Sequence, residues 1–263
     1  MSELIFLKLG GSLITDKTGV EQVRPAVLAR LAAEIGQVWS QKRPFLLGHG
    51  SGSFGHVAGA KYGTRQGVTT PDQWHGFAQV SAAAARLNRL VVAALLEADV
   101  PALTIHPSAS AHCKDGAITQ MASQTVIDAL AAGLLPVVYG DVAFDEVRGG
   151  TIISTEEVMD YLAQQIRPFW LLLAGETDGV YDEAGSVIPA ITPANFDTIR
   201  PALGGSRGTD VTGGMASKVE AMLQLVQAQP GLTIRIFSGL VPGNLHQLLL
   251  NPGQPIGTRI HHL

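Results

Sequence analysis

RPFLLGHGSGSFGHVAGAKYG, residues Arg43 to Gly63, decides how this chain is read. Phe45 to Leu47 form an apolar run, and Gly50, Gly52 and Gly55 follow it as G-x-G-x-x-G. A short apolar run ending in glycines is a buried strand entering a turn. Spelled out, it is the fingerprint of a dinucleotide-binding βα unit. That reading requires an acidic residue about 20 positions on, at the end of a second strand. Asp72 stands nearest, but it lies in TTPDQW, a helix start, and the motif falls in the second βα unit rather than the first. The glycines therefore point to another kind of anion site. Gly50, Ser51, Gly52 and Ser53 offer backbone donors and His56 a side-chain donor, although a satisfied structural role suits His56 equally well.

Outward from this stretch, strands and helices alternate. LIFLKLG, PFLLGHG, PALTIHP, LLPVVYGDVAFD, FWLLLAGETDGVYD and TIRIFSG read as strands, and GGTIIS is short and β-like. RPAVLARLAAEIGQVWSQ carries apolar residues at helical spacing. The segment beginning TPDQWHGF is predicted as a long helix with Thr70 at the N-cap and Pro71 at the first helical position. SQTVIDALAAG is a helix closed by Gly133. STEEVMDYLAQQIR opens with Ser154 and has Glu157 three residues on, a capping box. TGGMASKVEAMLQLVQAQ and GNLHQLLL complete the helices. This alternation predicts an α/β chain, a three-layer sandwich with a mainly parallel central sheet. It forms one domain of two lobes, residues 1–167 and 168–263. Ligands bind such sheets beyond the carboxyl ends of the strands, where Gly10-Gly11, Gly48 to Gly55, Gly140, Gly175 and Gly239 all fall on this reading.

Composition narrows the function. The 263 residues are 46% hydrophobic and 15% charged, with a net charge of −4. No basic cluster exceeds QKR, which argues against a nucleic-acid footprint or a polybasic membrane anchor. No apolar run approaches the roughly 18 to 20 residues of a bilayer span. MSELIFLKLGGSL lacks a basic n-region and a cleavage site, so a cytoplasmic location is expected. Cys113 is the only cysteine, which excludes an intrachain disulfide and a cysteine-rich metal site. Its setting, SAHCKDGA, reads as a loop or strand edge with a structural thiol.

The remaining candidates are small clusters. In KLGGSLITDK, Lys8 lies on the first strand before Gly10, Gly11 and Ser12. Successive amides of such a turn cradle phosphate oxygens, and Lys8 and Lys17 bring charge to the same place. A surface lysine beside an ordinary glycine turn is the alternative, but a charged head inside IFLKLG needs a partner. Asp141 sits at a strand end, as a catalytic carboxylate or a loop cap. AGETDGVYD sets Glu176, Asp178 and Asp182 around a turn, which suits a ribose or a metal, or is simply Asp-Gly turn chemistry. Gly213 and Gly214 lead into a helix that carries Lys218 about one turn inside. Neither a P-loop nor a protein-kinase motif set occurs.

Taken in order, KLGGS, GHGSGSFGH, PVVYGDVAFD, ETDGVYD and DVTGGMASKV resemble the amino acid kinase superfamily over nearly the whole chain. GSFGH together with LNRLVVAALLEADVPALTIHPSA is similar to its isopentenyl phosphate kinases. The resemblance implies an ATP-dependent kinase that turns isopentenyl phosphate into isopentenyl diphosphate, with Mg²⁺, as a cytoplasmic homodimer. It implies Lys8, Lys17, His56 and Lys218 as catalytic residues. Gly10, Gly11, Ser12, Gly52, Asp178, Gly213 and Gly214 would join Lys8 and Lys218 on ATP. Ser51, Gly52, His56 and Thr155 would hold the acceptor phosphate, and Glu156 would orient the lysines. The family usually has Ser-Gly-Asp where this chain has Ser154-Thr155-Glu156, so an extra methylene and a side-chain-bearing residue stand there. Trp74, Phe77 and Val80, three apart on the long helix, would wall a hydrocarbon or else belong to plain core. A small-molecule kinase of the same superfamily, such as a fosfomycin kinase, and a non-catalytic nucleotide-binding regulator are the alternatives.

Overall fold

The computed structural model describes residues 4–16, 18–41, 43–205 and 214–262, without the side chains of residues 56–58, 202, 204, 205 and 214. Strand β1 (Ile5–Leu9) enters a one-turn helix, α1 (Gly11–Ile14), and then α2 (Pro25–Trp39). Strand β2 (Phe45–His49) is followed by α3 (Gly52–Tyr62) and the long α4 (Pro71–Glu97). Next come β3 (Ala102–Thr104), the hairpin β4 (His112–Lys114) and β5 (Ala117–Gln120), α5 (Gln124–Ala131), β6 (Leu135–Tyr139), β7 (Asp141–Asp145) and β8 (Gly149–Ile153). Helix α6 (Thr155–Ile166), β9 (Trp170–Gly175), β10 (Ala190–Ile191), α7 (Phe196–Ile199), α8 (Gly214–Ala228), β11 (Thr233–Ser238), α9 (Asn244–Leu250) and β12 (Thr258–Ile260) complete the order.

Eight strands form the central sheet in the order β10-β12-β11-β9-β1-β2-β6-β3. All neighbours run parallel except β11 and β12. Strands β1, β2 and β6 are covered on both faces, which is why they read as unbroken apolar runs rather than as alternation. On one face Leu7, Leu9 and Leu47 pack under α2, α4 and α9; on the other Phe6, Leu46 and Val138 pack under α5, α6 and α8. These are the three layers expected from the sequence.

LLPVVYGDVAFD departs from its sequence reading as one strand. It divides at Gly140, with β6 in the central sheet and β7 in a separate four-stranded sheet of order β5-β4-β7-β8. Gly140 permits the break because a Cβ there would meet the Thr155 nitrogen at 3.2 Å and the Ile153 carbonyl at 3.3 Å. The short β10, β12, α1 and α7 carry too few residues for a periodic signal. The 27-residue α4 also corrects the reading of uninterrupted runs: its most apolar 18-residue window has a mean hydropathy of 1.2, long and apolar enough on those grounds to cross a bilayer. In this fold it is a layer helix, with Val80, Ala84, Leu87, Val91 and Leu95 turned into the core.

Cys113 lies on the short hairpin of the small sheet and is fully buried. Burial first, then the nearby Asp145 and Glu157 charges, push its thiol up to about 11. A thiol so placed is neutral and inert, in keeping with the structural reading.

Candidate active site

The site is built where β1, β2, β6 and β9 end. Lys8 shares the face of Phe6 and lies in register with Gly48 on β2 and Leu173 on β9. A Cβ on Gly48 would meet Met159 Sδ at 2.5 Å and Thr155 Cγ2 at 2.9 Å. The missing side chain lets the first turn of α6 settle directly on the strand. Glu156, in that turn, then reaches across and its carboxylate accepts a hydrogen bond from the Lys8 ammonium. The side chain of Lys8 is 14% exposed and that of Glu156 52%, so the pair has a partly buried cation and a more open carboxylate. Burial within the cleft raises the Glu156 carboxyl, but the charge and hydrogen bond of Lys8, backed by Lys218, outweigh it and hold the group below its ordinary value. Lys218, exposed on α8, is thereby placed in electrostatic reach of the same carboxylate.

The two glycine turns lie back to back beside this cluster. A Cβ on Gly11 would meet the Gly52 Cα at 2.7 Å, and one on Gly50 would meet the Gly11 nitrogen at 2.8 Å. Backbone therefore touches backbone, in a space that no side chain can share. Gly50 N–H donates to the Leu9 carbonyl (3.0 Å) and Gly10 N–H to the Ala174 carbonyl (2.8 Å), which fixes both turns to the sheet. Thr15 joins them, donating to Gly11 O (2.7 Å) and accepting from Ser53 N–H (3.0 Å). Thr15 carries little sign of this in the sequence. Its signal is a hydroxyl four residues after Gly11, the spacing at which a side chain bonds back to a carbonyl.

Other expectations are redistributed. Ser12 lies in α1, Ser51 stands at the N-cap position of α3 without a side-chain capping bond, and Gly214 opens α8. His56 lies in α3, but its side chain, like Lys17 and Gly213, lies outside the described residues. Thr155 is buried and its hydroxyl donates to the His49 carbonyl at 2.6 Å. What Thr155 can offer a substrate is therefore its backbone N–H in the first turn of α6, not its hydroxyl. The capping box at Ser154 and Glu157 forms as expected. Asp178 is exposed on the loop after β9, paired with the Tyr181 hydroxyl.

Asp141 takes the capping role of its two readings. It is 1% exposed and accepts from Ser81 Oγ (3.0 Å), Ser108 N–H (3.2 Å) and Val142 N–H (2.9 Å). The aromatic face expected on α4 splits: Val80 enters the core, while Trp74 and Phe77 cluster with Phe144 of β7. Phe77, Ser81, Ser108, Val142 and Phe144 are among the residues lining a cavity of 440 Å³. None of its lining residues belongs to the lysine–glutamate cluster. The glycine turns and the neighbouring Lys8, unlike this cavity, offer the charge and the amides that an anion needs.

The sequence model of the amino acid kinase family matches residues 3–238. The chain belongs to the amino acid kinase family. Within it, the chain is 33% identical over 272 residues to the isopentenyl phosphate kinase of Methanothermobacter thermautotrophicus, covering 98% of each chain. It is 40% identical over 228 residues to that of Haloferax volcanii, covering 84% of this chain and 88% of the other. An X-ray structure of an isopentenyl phosphate kinase superposes with a TM-score of 0.80 at 27% identity, over 98% of this chain and 99% of that one. An N-acetylglutamate synthase from Neisseria gonorrhoeae shares the fold at a TM-score of 0.70 and 18% identity, with 99% of this chain matching 60% of that one. An amino acid kinase uses ATP as phosphoryl donor, and the touching glycine turns beside Lys8 fit a polyphosphate: they supply amides and exclude side chains.

Proposed function

We propose that this chain transfers the γ-phosphoryl group of ATP to isopentenyl phosphate, giving isopentenyl diphosphate and ADP. The observation that carries the reading is the backbone contact between the Gly10-Gly11 and Gly50-Gly52 turns beside the partly buried Lys8. Two phosphates presented from those turns would face each other with Lys8 between them. A phosphate oxygen of the acceptor attacks the γ-phosphorus, the bond to the β–γ bridging oxygen breaks, and ADP leaves with that electron pair. The acceptor is already an anion at neutral pH, so the reaction needs no strong base.

The obstacle is repulsion. Two like charges at ~4 Å repel by roughly 4 kcal/mol at an effective dielectric of 20. Lys8 and Lys218 would offset it on the ATP side, with Glu156 holding Lys8 in place. Ser51 and Gly52 amides, together with His56, would hold the acceptor phosphate. Lys17 would meet the transferring group. Among the described residues no cluster of three or more His, Cys, Asp or Glu could hold a metal ion. Mg²⁺ would accordingly sit on ATP oxygens and water, where it neutralises phosphate charge. The acceptor would lie in residues 1–167 and the nucleotide in residues 168–263, in a homodimeric enzyme.

A substrate panel tests this. Purified protein with Mg²⁺ and ATP should release ADP with isopentenyl phosphate. Release with fosfomycin or glutamate and none with isopentenyl phosphate would sink the assignment.

A further inference from the structure

His49 is the last residue of β2 and is fully buried, directly before the turn assigned above to the acceptor phosphate. It makes contact in three directions. Its ring stacks on Tyr139 at 5.5 Å and 13°. Its carbonyl accepts from the Thr155 hydroxyl at 2.6 Å, tying it to the first turn of α6. Its Nδ1 lies 3.3 Å from Gly50 O and its Nε2 lies 3.1 Å from Asn88 Oδ1 on α4. Asn88 is itself 1% exposed, and its amide nitrogen donates to the Thr104 hydroxyl on β3 at 2.8 Å.

A neutral imidazole carries one N–H. Gly50 O can only accept, so Nδ1 must be the donor if that bond is made. Nε2 then accepts, which requires the Asn88 amide turned over end for end from the orientation just given, with its NH₂ toward the ring and its oxygen toward Thr104, an exchange that leaves the heavy-atom positions unchanged. The Thr104 hydroxyl can donate or accept and completes the chain in either sense. Two other states keep the amide as it stands. A neutral ring donating from Nε2 to Asn88 Oδ1 would leave Nδ1 and Gly50 O facing each other lone pair to lone pair at 3.3 Å. A cationic ring donating to both oxygens is disfavoured by full burial, which pulls the imidazole below its ordinary value against the hydrogen bonds of Asn88 and Gly50.

The bond to Gly50 has a geometric consequence. No peptide in the described residues is cis, and in a trans peptide the carbonyl and the next N–H point in opposite directions. A ring on the core side that holds the Gly50 carbonyl inward thus turns the Ser51 N–H outward, toward the cleft.

Resting on the phosphoryl-transfer reading above, we infer that His49 is a positioning residue for the reaction: its Nδ1–H fixes the Gly50–Ser51 peptide so that the Ser51 amide faces the acceptor phosphate. His49 touches no reacting atom; it acts through that peptide.

Two substitutions separate this role from packing. His49→Asn keeps a donor near the Nδ1 position and loses the link to Asn88. His49→Gln keeps a group near Nε2 and loses the donor to Gly50. With wild type measured alongside, His49→Asn should keep kcat within about fivefold, whereas His49→Gln should lose up to about 100-fold, the cost of misplacing a reacting group by about 1 Å. KM for ATP should stay within about twofold in both, since the turn serves the acceptor. A His49→Gln enzyme as fast as His49→Asn, or rates that simply follow thermal stability, would overturn the inference. An inactive wild type would count against the reaction and leave the ring to be judged separately. That judgement comes from ¹⁵N-histidine NMR of the wild-type protein, which needs neither variant nor substrate: a pyrrole-type Nδ1 is expected for His49, and a pyridine-type Nδ1 overturns the inference.

Discussion

Glu156 shows how one residue carries both charge and position. Its carboxylate accepts a hydrogen bond from the Lys8 ammonium, and on the proposed phosphoryl transfer Glu156→Gln should lower kcat by about 10- to 100-fold through loss of lysine placement. The same pair makes a signed prediction for stability. A carboxyl depressed on folding contributes stability above its unfolded value of 4.5 and loses it as pH falls through the lower folded value. With a half-exposed carboxylate the contribution is below about 1 kcal/mol. Urea unfolding at pH 7 should show wild type ahead of Glu156→Gln by that small margin, and the gap should close toward pH 3. A gap that widens in acid would contradict the assignment. Cys113 offers a second test at this scale. With its thiol raised to about 11 and no exposure, it should resist iodoacetamide in the native protein at pH 8 and react once unfolded in urea. Labelling of the native protein would place it at the surface.

Elements differ in how openly the sequence announces them. Helix α4 is announced at its start: Thr70 accepts from Gln73 N–H, Gln73 bonds back, and Pro71 occupies the first turn. Thr70→Ala should cost about 1 kcal/mol, lowering Tm by roughly 2–4 °C while kcat is unchanged. A differential scan that shows no shift would mean that the box contributes nothing. The capping box of α6 is equally legible, and it matters more because that helix delivers Glu156. The break between β6 and β7 is not legible, because the reason for it lies far along the chain, where the Thr155 backbone fills the space beside Gly140. For the same reason the site was only half visible. Lys8, Gly11, Glu156 and Lys218 stand in local motifs of small and charged residues. Thr15 and His49 act through partners that only the fold brings near, and a buried histidine in an apolar strand carries no local sign of what its ring bonds.

At the scale of the whole molecule, the parallel sheet explains why one place collects the chemistry. Strands β1, β2, β6 and β9 all end on one side, and each end opens into glycine: Gly10, Gly50, Gly140 and Gly175. The sheet is continuous across Arg167, since β1 pairs with β2 on one side and β9 on the other. The proposed acceptor and nucleotide halves are therefore held in register by central hydrogen bonding rather than by a loose linker, which suits in-line transfer between two anions. The central claim is that a new phosphorus–oxygen–phosphorus linkage forms on isopentenyl phosphate in this cleft. It is tested most directly by ³¹P NMR of the wild-type protein incubated with Mg²⁺, ATP and isopentenyl phosphate. The account predicts that the monoester and ATP signals fall together while those of isopentenyl diphosphate and ADP rise in equal amount; an unchanged monoester signal beside intact or merely hydrolysed ATP would contradict it.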